Sequence, residues 1–189
     1  MIESSVEEVR RMPREMVVPE GKPAFEWILG RPVQKVSPKR RHSLLQAEFV
    51  MLLRPWANGR GEIGTEWRFR LEPPGEDIRP FVPDVAYLSY ERMGERTDNE
   101  LEAPLLAPNV AVEIRSPDDR QQHIDHKIEV YLAAGTDLVV LVDPLARTID
   151  TFERGGHTVW HEGDTFTHQG LPGLAFAVSG VFAVLQRPR

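Results

Sequence analysis

The segment from Val110 to Val142 constrains the fold more than any other part of the sequence. It holds a short apolar run ending at Arg115, a helical stretch that Gly135 would cap, and a buried run beginning at Leu138. A strand, a helix and a strand in this order predict two parallel strands joined by a crossover helix. The segment therefore predicts an α/β or α+β fold, with one mixed central sheet flanked by helices.

Further elements are predicted on both sides of this unit. The Ser-Pro pair at residues 37–38 predicts the start of a helix that Pro55 would end. Residues 62–71 alternate apolar and polar side chains, which predicts a half-buried strand, and residues 81–88 predict the next strand. Three short runs within residues 147–168 predict a small β extension of the sheet.

The length of 189 residues favours one domain with its own core and a short appended segment. Residues 1–24 are predicted to be an N-terminal helix, at residues 3–12, followed by a loose lead-in. Residues 25–189 are predicted to form a single domain. The sequence has no stretch long enough to span a membrane, so no membrane partner is expected.

Charge and cysteine content exclude some functions. A net charge of −6 argues against a protein that coats nucleic acid non-specifically, although a local basic face remains compatible with it. The absence of cysteine excludes disulfides, thiolate metal sites and cysteine nucleophiles. Together with an acidic start that lacks the features of a secretory signal, it predicts a cytoplasmic protein.

Two acidic residues interrupt otherwise apolar strands. Asp84 lies in the predicted strand 81–88, and Glu113 lies in the apolar run that begins at Val110. Two neighbouring buried carboxylates repel each other unless a cation lies between them, and carboxylate oxygens favour Mg²⁺ or Mn²⁺. Such an ion can activate water for hydrolysis. Alternatively, Asp84 could end a strand at a turn, and Glu113 could pair with Arg115.

The use of lysine points to one further residue. The chain has four lysines against nineteen arginines, and Lys127 lies alone in the middle of the sequence. It precedes Tyr131 by four residues, so both side chains lie on one face of the predicted helix. Its ammonium could orient or deprotonate an attacking water. Lys127 could equally be a solvated lysine that pairs along the helix with His123 or Tyr131.

The order and spacing of several short motifs resemble the Uma2 family of putative restriction endonucleases, which belongs to the PD-(D/E)XK nuclease superfamily. These motifs are Pro83-Asp84, Val112 to Pro117, Lys127, Tyr131, Ala134-Gly135 and Val142-Asp143-Pro144. Upstream, residues 25–31 resemble the entry motif of that family, and residues 37–38 with His42 resemble its helix start. Downstream, residues 170–174 resemble its closing segment, so the resemblance covers residues 25–185.

The resemblance implies a restriction-endonuclease-like αβββαβ core that acts on DNA. It implies that Asp84 and Glu113 bind Mg²⁺ or Mn²⁺, with the backbone carbonyl of Ile114 as a further ligand. Glu26 could be a third acid of the site or could cap a turn. His42 could contact phosphate or lie at the surface.

The resemblance also reassigns the basic residue of the site. The superfamily lysine stands two residues after the glutamate, where this chain has Arg115, which could steady a phosphate. The resemblance implies that Lys127 replaces that lysine. In a helix starting at Pro117, Lys127 would lie about 15 Å along the axis from its start and far from Glu113. We therefore predict a loop at residues 117–121 and a helix that starts near Gln122.

Three functions follow as hypotheses. The first is a Mg²⁺-dependent endonuclease that hydrolyses DNA phosphodiester bonds through a metal-activated water. The second is a catalytically silent nuclease-fold protein that binds nucleic acid or regulates a partner. The third is a hydrolase of small phosphate esters. Cleavage of both DNA strands would favour a homodimer with twofold symmetry.

Overall fold

The structure is a computed structural model that describes residues 12–186. The first elements in chain order are β1 (Phe25–Ile28), β2 (Arg31–Gln34), α1 (Arg40–Ala57), β3 (Gly61–Thr65), β4 (Phe69–Leu71), β5 (Arg79–Phe81), β6 (Val85–Ser89), α2 (Tyr90–Met93) and α3 (Asp98–Leu101). They are followed by β7 (Val110–Ile114), α4 (Gln121–Ala134), β8 (Leu138–Asp143), β9 (Thr148–Glu153), β10 (Gly156–Trp160), β11 (Thr165–Thr167), β12 (Ala175–Ala177) and α5 (Val178–Ala183).

Six strands form the central sheet in the order β10-β9-β8-β7-β6-β3. β7 and β8 run parallel with α4 as their crossover, and the other neighbouring strands are antiparallel. The mixed sheet with its β9–β10 extension confirms the predicted fold class. Within residues 12–186, the pairs β1–β2, β4–β5 and β11–β12 form separate two-stranded sheets.

Helices cover both faces of the central sheet. α1 and α5 pack on one face, where Phe49 and Phe182 are buried. α4 covers the other face together with β1, β4 and β5, and buries Tyr131 against Phe81. Side chains alternate along β7, so Val110, Val112 and Ile114 face α1, while Ala111 and Glu113 lie on the side of α4.

The hydrophobic pattern predicts single strands at residues 62–71 and 81–88, but the structure breaks both of them. The first divides into β3 and β4, and the second divides into β5 and β6. β3 pairs with β6, and β4 pairs with β5, in a register that continues across the gap. The gap comprises residues 66–68 on one side and residues 82–84 on the other.

The gap begins at Glu66, whose φ of 51° is incompatible with a pleated strand. One backbone bond crosses it, from the Glu66 N–H to the Asp84 carbonyl at 3.4 Å. Asp84 therefore lies in the irregular segment immediately before β6, instead of within a strand. Side chains can reach the backbone of this segment because no neighbouring strand occupies it.

Helix α1 differs from its prediction at both ends. It begins at Arg40 with Lys39 as the N-cap, and Ser37 takes no part in capping. It continues through Pro55 to Ala57, because its buried face extends into the last turn. Packing of that face against the sheet outweighs the backbone hydrogen bond that proline cannot form.

Helix α4 starts at Gln121, and residues 117–120 are not helical. This confirms the predicted loop and places the helix start one residue before the predicted position. Gly135 ends the helix in the left-handed conformation at φ 103°, as predicted for a C-terminal glycine cap. The loop brings the first turns of α4 close to the end of β7.

Most of the helix predicted at residues 3–12 falls outside the described residues. Residues 13–24 contain no helix, and Glu15 forms a parallel bridge with Ile78. Among residues 12–186, no helix combines the length and apolar character needed to cross a bilayer.

Candidate active site

A cleft of about 420 Å³ lies where β6 begins and β7 ends. The β1–β2 hairpin, the first turn of α1 and the first turns of α4 form its walls. The predicted site residues in its lining are Glu26, His42, Asp84, Glu113, Ile114, Arg115 and Lys127. Tyr131 lies beneath the cleft and contacts it through Glu113.

Asp84 is 2% exposed and is held by three other residues. Its Oδ1 lies 2.7 Å from the Lys35 ammonium. Its Oδ2 accepts the backbone N–H of Ile114 at 2.7 Å and lies 3.0 Å from His42 Nε2. Burial alone would raise the pKa of Asp84, but Lys35 and His42 hold it well below its ordinary value. Asp84 is therefore a carboxylate at neutral pH.

Glu113 is held differently, from helix α4. Its Oε1 lies 2.7 Å from the Lys127 ammonium and accepts the Tyr131 hydroxyl at 2.9 Å. Burial, with Asp84 and Glu26 nearby, raises its pKa to about 7 despite the attraction of Lys127. The two acids of the site therefore have pKa values on opposite sides of the ordinary carboxyl range.

Glu26 reaches the site from β1 and is 5% exposed. Its Oε1 accepts the backbone N–H of Val82 at 2.8 Å, and its Oε2 accepts from Lys127 at 3.0 Å. The structure therefore brings Glu26 to the site as the third acid, in contact with the same lysine as Glu113. Its part in chemistry stays a prediction.

Lys127 is buried between Glu113 and Glu26, with its side chain 11% exposed. Burial lowers its pKa, but the two carboxylates outweigh that effect and raise it. Lys127 is therefore a charged donor in this state. Of the two predicted roles, this favours the orientation of water over its deprotonation.

The remaining candidates differ in how closely they approach the acids. His42, in the first turn of α1, contacts Asp84, which raises its pKa against the effect of burial. Arg115 also lines the cleft, and its guanidinium contacts Asp143 at 3.3 Å and Gln121. It ties the start of α4 to the end of β8. Its predicted contact with a phosphate stays a prediction.

Sequence reasoning missed Lys35, which follows β2 and contacts Asp84 directly. The same signal that singled out Lys127 applied to it, because lysine is rare in this chain. Two of the four lysines lie in the cleft, Lys35 beside Asp84 and Lys127 beside Glu113. The extended run around Lys35 gave no indication of a partner 49 residues away.

The donor set of the cleft is compatible with a hard divalent cation. Asp84 and Glu113 offer carboxylate oxygens, and Mg²⁺ commonly uses one or two carboxylates while it keeps several waters. Within residues 12–186, no group of three or more acidic or histidine side chains is arranged as a ready metal cage. Binding would therefore depend on the two acids and on waters, with both acids also contacting a lysine.

The raised pKa of Glu113 predicts how stability depends on pH in metal-free buffer. Between about pH 5 and 8 the folded protein keeps a proton that the unfolded chain releases, so stability falls as pH rises. The raised pKa of His42 acts in the same direction. We expect the free energy of unfolding to fall by on the order of 3 kcal/mol over this pH range.

Urea unfolding at both ends of this pH range, with chelator present, measures the effect. Glu113→Gln is expected to remove most of the pH dependence. Glu62→Gln, which changes an exposed glutamate on β3, is expected to keep it. Stability that rises with pH in the unmodified chain would contradict the prediction.

Comparison with known proteins identifies a family and a similar fold. A sequence model of the Uma2 family, described as putative restriction endonuclease, matches residues 6–179. Among solved structures, a putative nuclease of the DUF820 group from Anabaena variabilis has a TM-score of 0.79 and 26% sequence identity. The alignment covers 89% of this chain and 95% of that one. No curated protein gives a significant match.

Proposed function

Because the chain belongs to the Uma2 family of putative restriction endonucleases, we propose that it is a divalent-metal-dependent endonuclease that hydrolyses DNA. One observation carries the proposal: Asp84 and Glu113 converge on one cleft, each beside a buried lysine. A nuclease-like fold alone would not support activity, because folds host many functions. The paired acids provide the site-level support.

The residues of the cleft divide into two roles. Asp84 and Glu113 would hold Mg²⁺ or Mn²⁺, with the carbonyl of Ile114 as a further ligand. When bound, such an ion lowers the pKa of water and offsets the charge of a phosphate. Lys127 would donate a hydrogen bond that orients the water or the phosphate. Hydrolysis forms one phosphorus–oxygen bond to water and breaks the bond to the leaving oxygen, which takes a proton.

Cleavage of supercoiled plasmid by the purified chain tests the proposal. We expect nicked or linear product with Mg²⁺ or Mn²⁺, and none with chelator. A twofold dimer would present one cleft to each strand, so linear product would favour a dimer. Absence of cleavage with every divalent ion tried would overturn the proposal.

Two further measurements, of DNA binding and of the hydrolysis of a small phosphodiester, separate the alternatives. Tight DNA binding without cleavage would favour a catalytically silent nuclease fold. Such a fold is compatible with the contacts of Asp84 and Glu113, because each acid already pairs with a lysine. Hydrolysis of a small phosphodiester such as bis(p-nitrophenyl) phosphate, without cleavage of DNA, would favour a phosphoesterase. A chain active on DNA should hydrolyse the small ester slowly, because it lacks the binding energy of the polymer.

A further inference from the structure

The Lys35 ammonium has three partners, as many as it has N–H groups. It donates to the Asp84 carboxylate and to the Val82 carbonyl, both at 2.7 Å, and to Glu66 at 3.1 Å. Its side chain is 11% exposed. Lys35 therefore has no donor left for a substrate while these contacts hold.

Lys127 differs from Lys35 in the kind of partner that it contacts. Among the described residues its ammonium contacts two carboxylates, those of Glu113 and Glu26. Both oxygens of Glu26 lie 3.0 Å from the Lys127 nitrogen and Glu113 Oε1 lies 2.7 Å from it, so the two acids share its three N–H groups. The two lysines are equally buried, and Lys35 is the one of the two that also contacts the backbone beside Asp84, at the Val82 carbonyl.

The contacts of Lys35 fall on the irregular segment that carries Asp84. The N–H of Val82 donates to Glu26, and its carbonyl accepts from Lys35. Pro83, the next residue, has no N–H, so the segment cannot be held there by a backbone donor. Both polar groups of Val82 are thus satisfied by side chains of the β1–β2 region, where the strand ladder is open.

We propose that Lys35 is a positioning residue, which bridges the Val82 carbonyl and the Asp84 carboxylate and so fixes Asp84 in the cleft. It acts through Asp84 and does not touch the substrate. This inference rests on the proposed function for its kinetic consequence. The structural consequence, an ordered segment at residues 82–84, holds whether or not the chain cleaves DNA.

Lys35→Met tests the inference, because methionine fills similar space and donates no hydrogen bond. We expect kcat for DNA cleavage to fall by about tenfold or more, as for other residues that orient a catalytic ligand. KM, and the Kd for DNA measured with Ca²⁺, should change less than about twofold. A change in kcat alone indicates that the substitution does not remove a contact that binds the substrate. Amide exchange at Val82, Asp84 and Val85 should accelerate by about tenfold, since a bond that orders them is lost.

Two variants accompany this substitution. Lys35→Arg keeps the charge and several donors, and is expected to recover most of kcat and of the protection from exchange. Lys22→Met changes an exposed lysine and should leave both quantities unchanged. If Lys35→Met does not fold, Lys35→Gln keeps a donor for the Val82 carbonyl and should show a smaller change in the same direction.

The outcomes are distinct. Unchanged exchange and kcat in folded Lys35→Met or Lys35→Gln would overturn the inference. A loss of DNA affinity as large as the loss of kcat would also overturn it, because it would assign Lys35 to substrate contact. If the unmodified chain does not cleave DNA, the proposed function fails, and the exchange data alone decide whether Lys35 orders the segment.

Discussion

Glu113→Gln and Asp84→Asn are each expected to lower the rate of DNA cleavage by at least about 10³-fold. Each substitution removes a negative carboxylate oxygen that would hold the divalent ion in the cleft. A bound ion contributes several kcal/mol of transition-state stabilisation, and each 1.36 kcal/mol corresponds to a factor of ten in rate. Loss of either acid is therefore expected to lower the cleavage rate by several powers of ten.

Cleavage rates with Mg²⁺, together with calorimetric titration of Mn²⁺, measure this effect. Glu113→Gln is the cleaner variant, because the pKa of Glu113 near 7 means that the folded protein already tolerates a neutral group there. Asp84→Asn removes the buried carboxylate that lies 2.7 Å from the Lys35 ammonium and is expected to be less stable as well. Glu62→Gln serves as the matched control. Cleavage at the unmodified rate by folded Glu113→Gln would contradict the assignment.

Lys127→Met is expected to lower the free energy of unfolding by about 3–5 kcal/mol near pH 8. The substitution leaves Glu26 and Glu113 buried together without the cation that they share. Towards pH 5 Glu113 can fold in the neutral form, because its pKa is raised to about 7, so the destabilisation is expected to shrink. Cleavage should fall by about 10²-fold, because the donor that orients the water or phosphate is lost.

Urea unfolding of both proteins at pH 5 and pH 8 measures the stability effect. Lys22→Met is the control, since it removes an exposed lysine and is expected to change stability by less than about 0.5 kcal/mol. A destabilisation of equal size at both pH values would show that lost packing, and not unpaired charge, is responsible. The assignment of Lys127 as the shared cation would then be wrong.

Much of the fold was predictable because its signals are local. The crossover from β7 through α4 to β8 follows from an apolar run, a glycine cap and a second apolar run. The alternation along β7 placed Glu113 on the face that α4 covers. The reach of Lys127 predicted the loop before α4, because a helix starting at Pro117 would have carried its ammonium away from Glu113.

The strand gap was not predictable, although it shapes the site. Apolar and polar side chains alternate along residues 62–71 as in a regular strand. The left-handed backbone of Glu66 nevertheless interrupts that strand. That conformation is accompanied by contacts with Lys35 and Gln46, which lie 31 and 20 residues away in sequence. The local strand propensity of residues 62–71 cannot predict contacts with residues that are distant in sequence.

The sequence by itself predicted the mixed sheet and its crossover helix, and it singled out Asp84 and Glu113 as acids in apolar surroundings, because hydrophobic periodicity and caps act over a few residues. Only the tertiary structure decided which cation accompanies each acid. Lys35 and Asp84 are 49 residues apart, and Lys127 and Glu26 are 101 residues apart. These pairs form because a buried carboxylate is stable only beside a cation or hydrogen-bond donors, and the fold determines which of them can reach it.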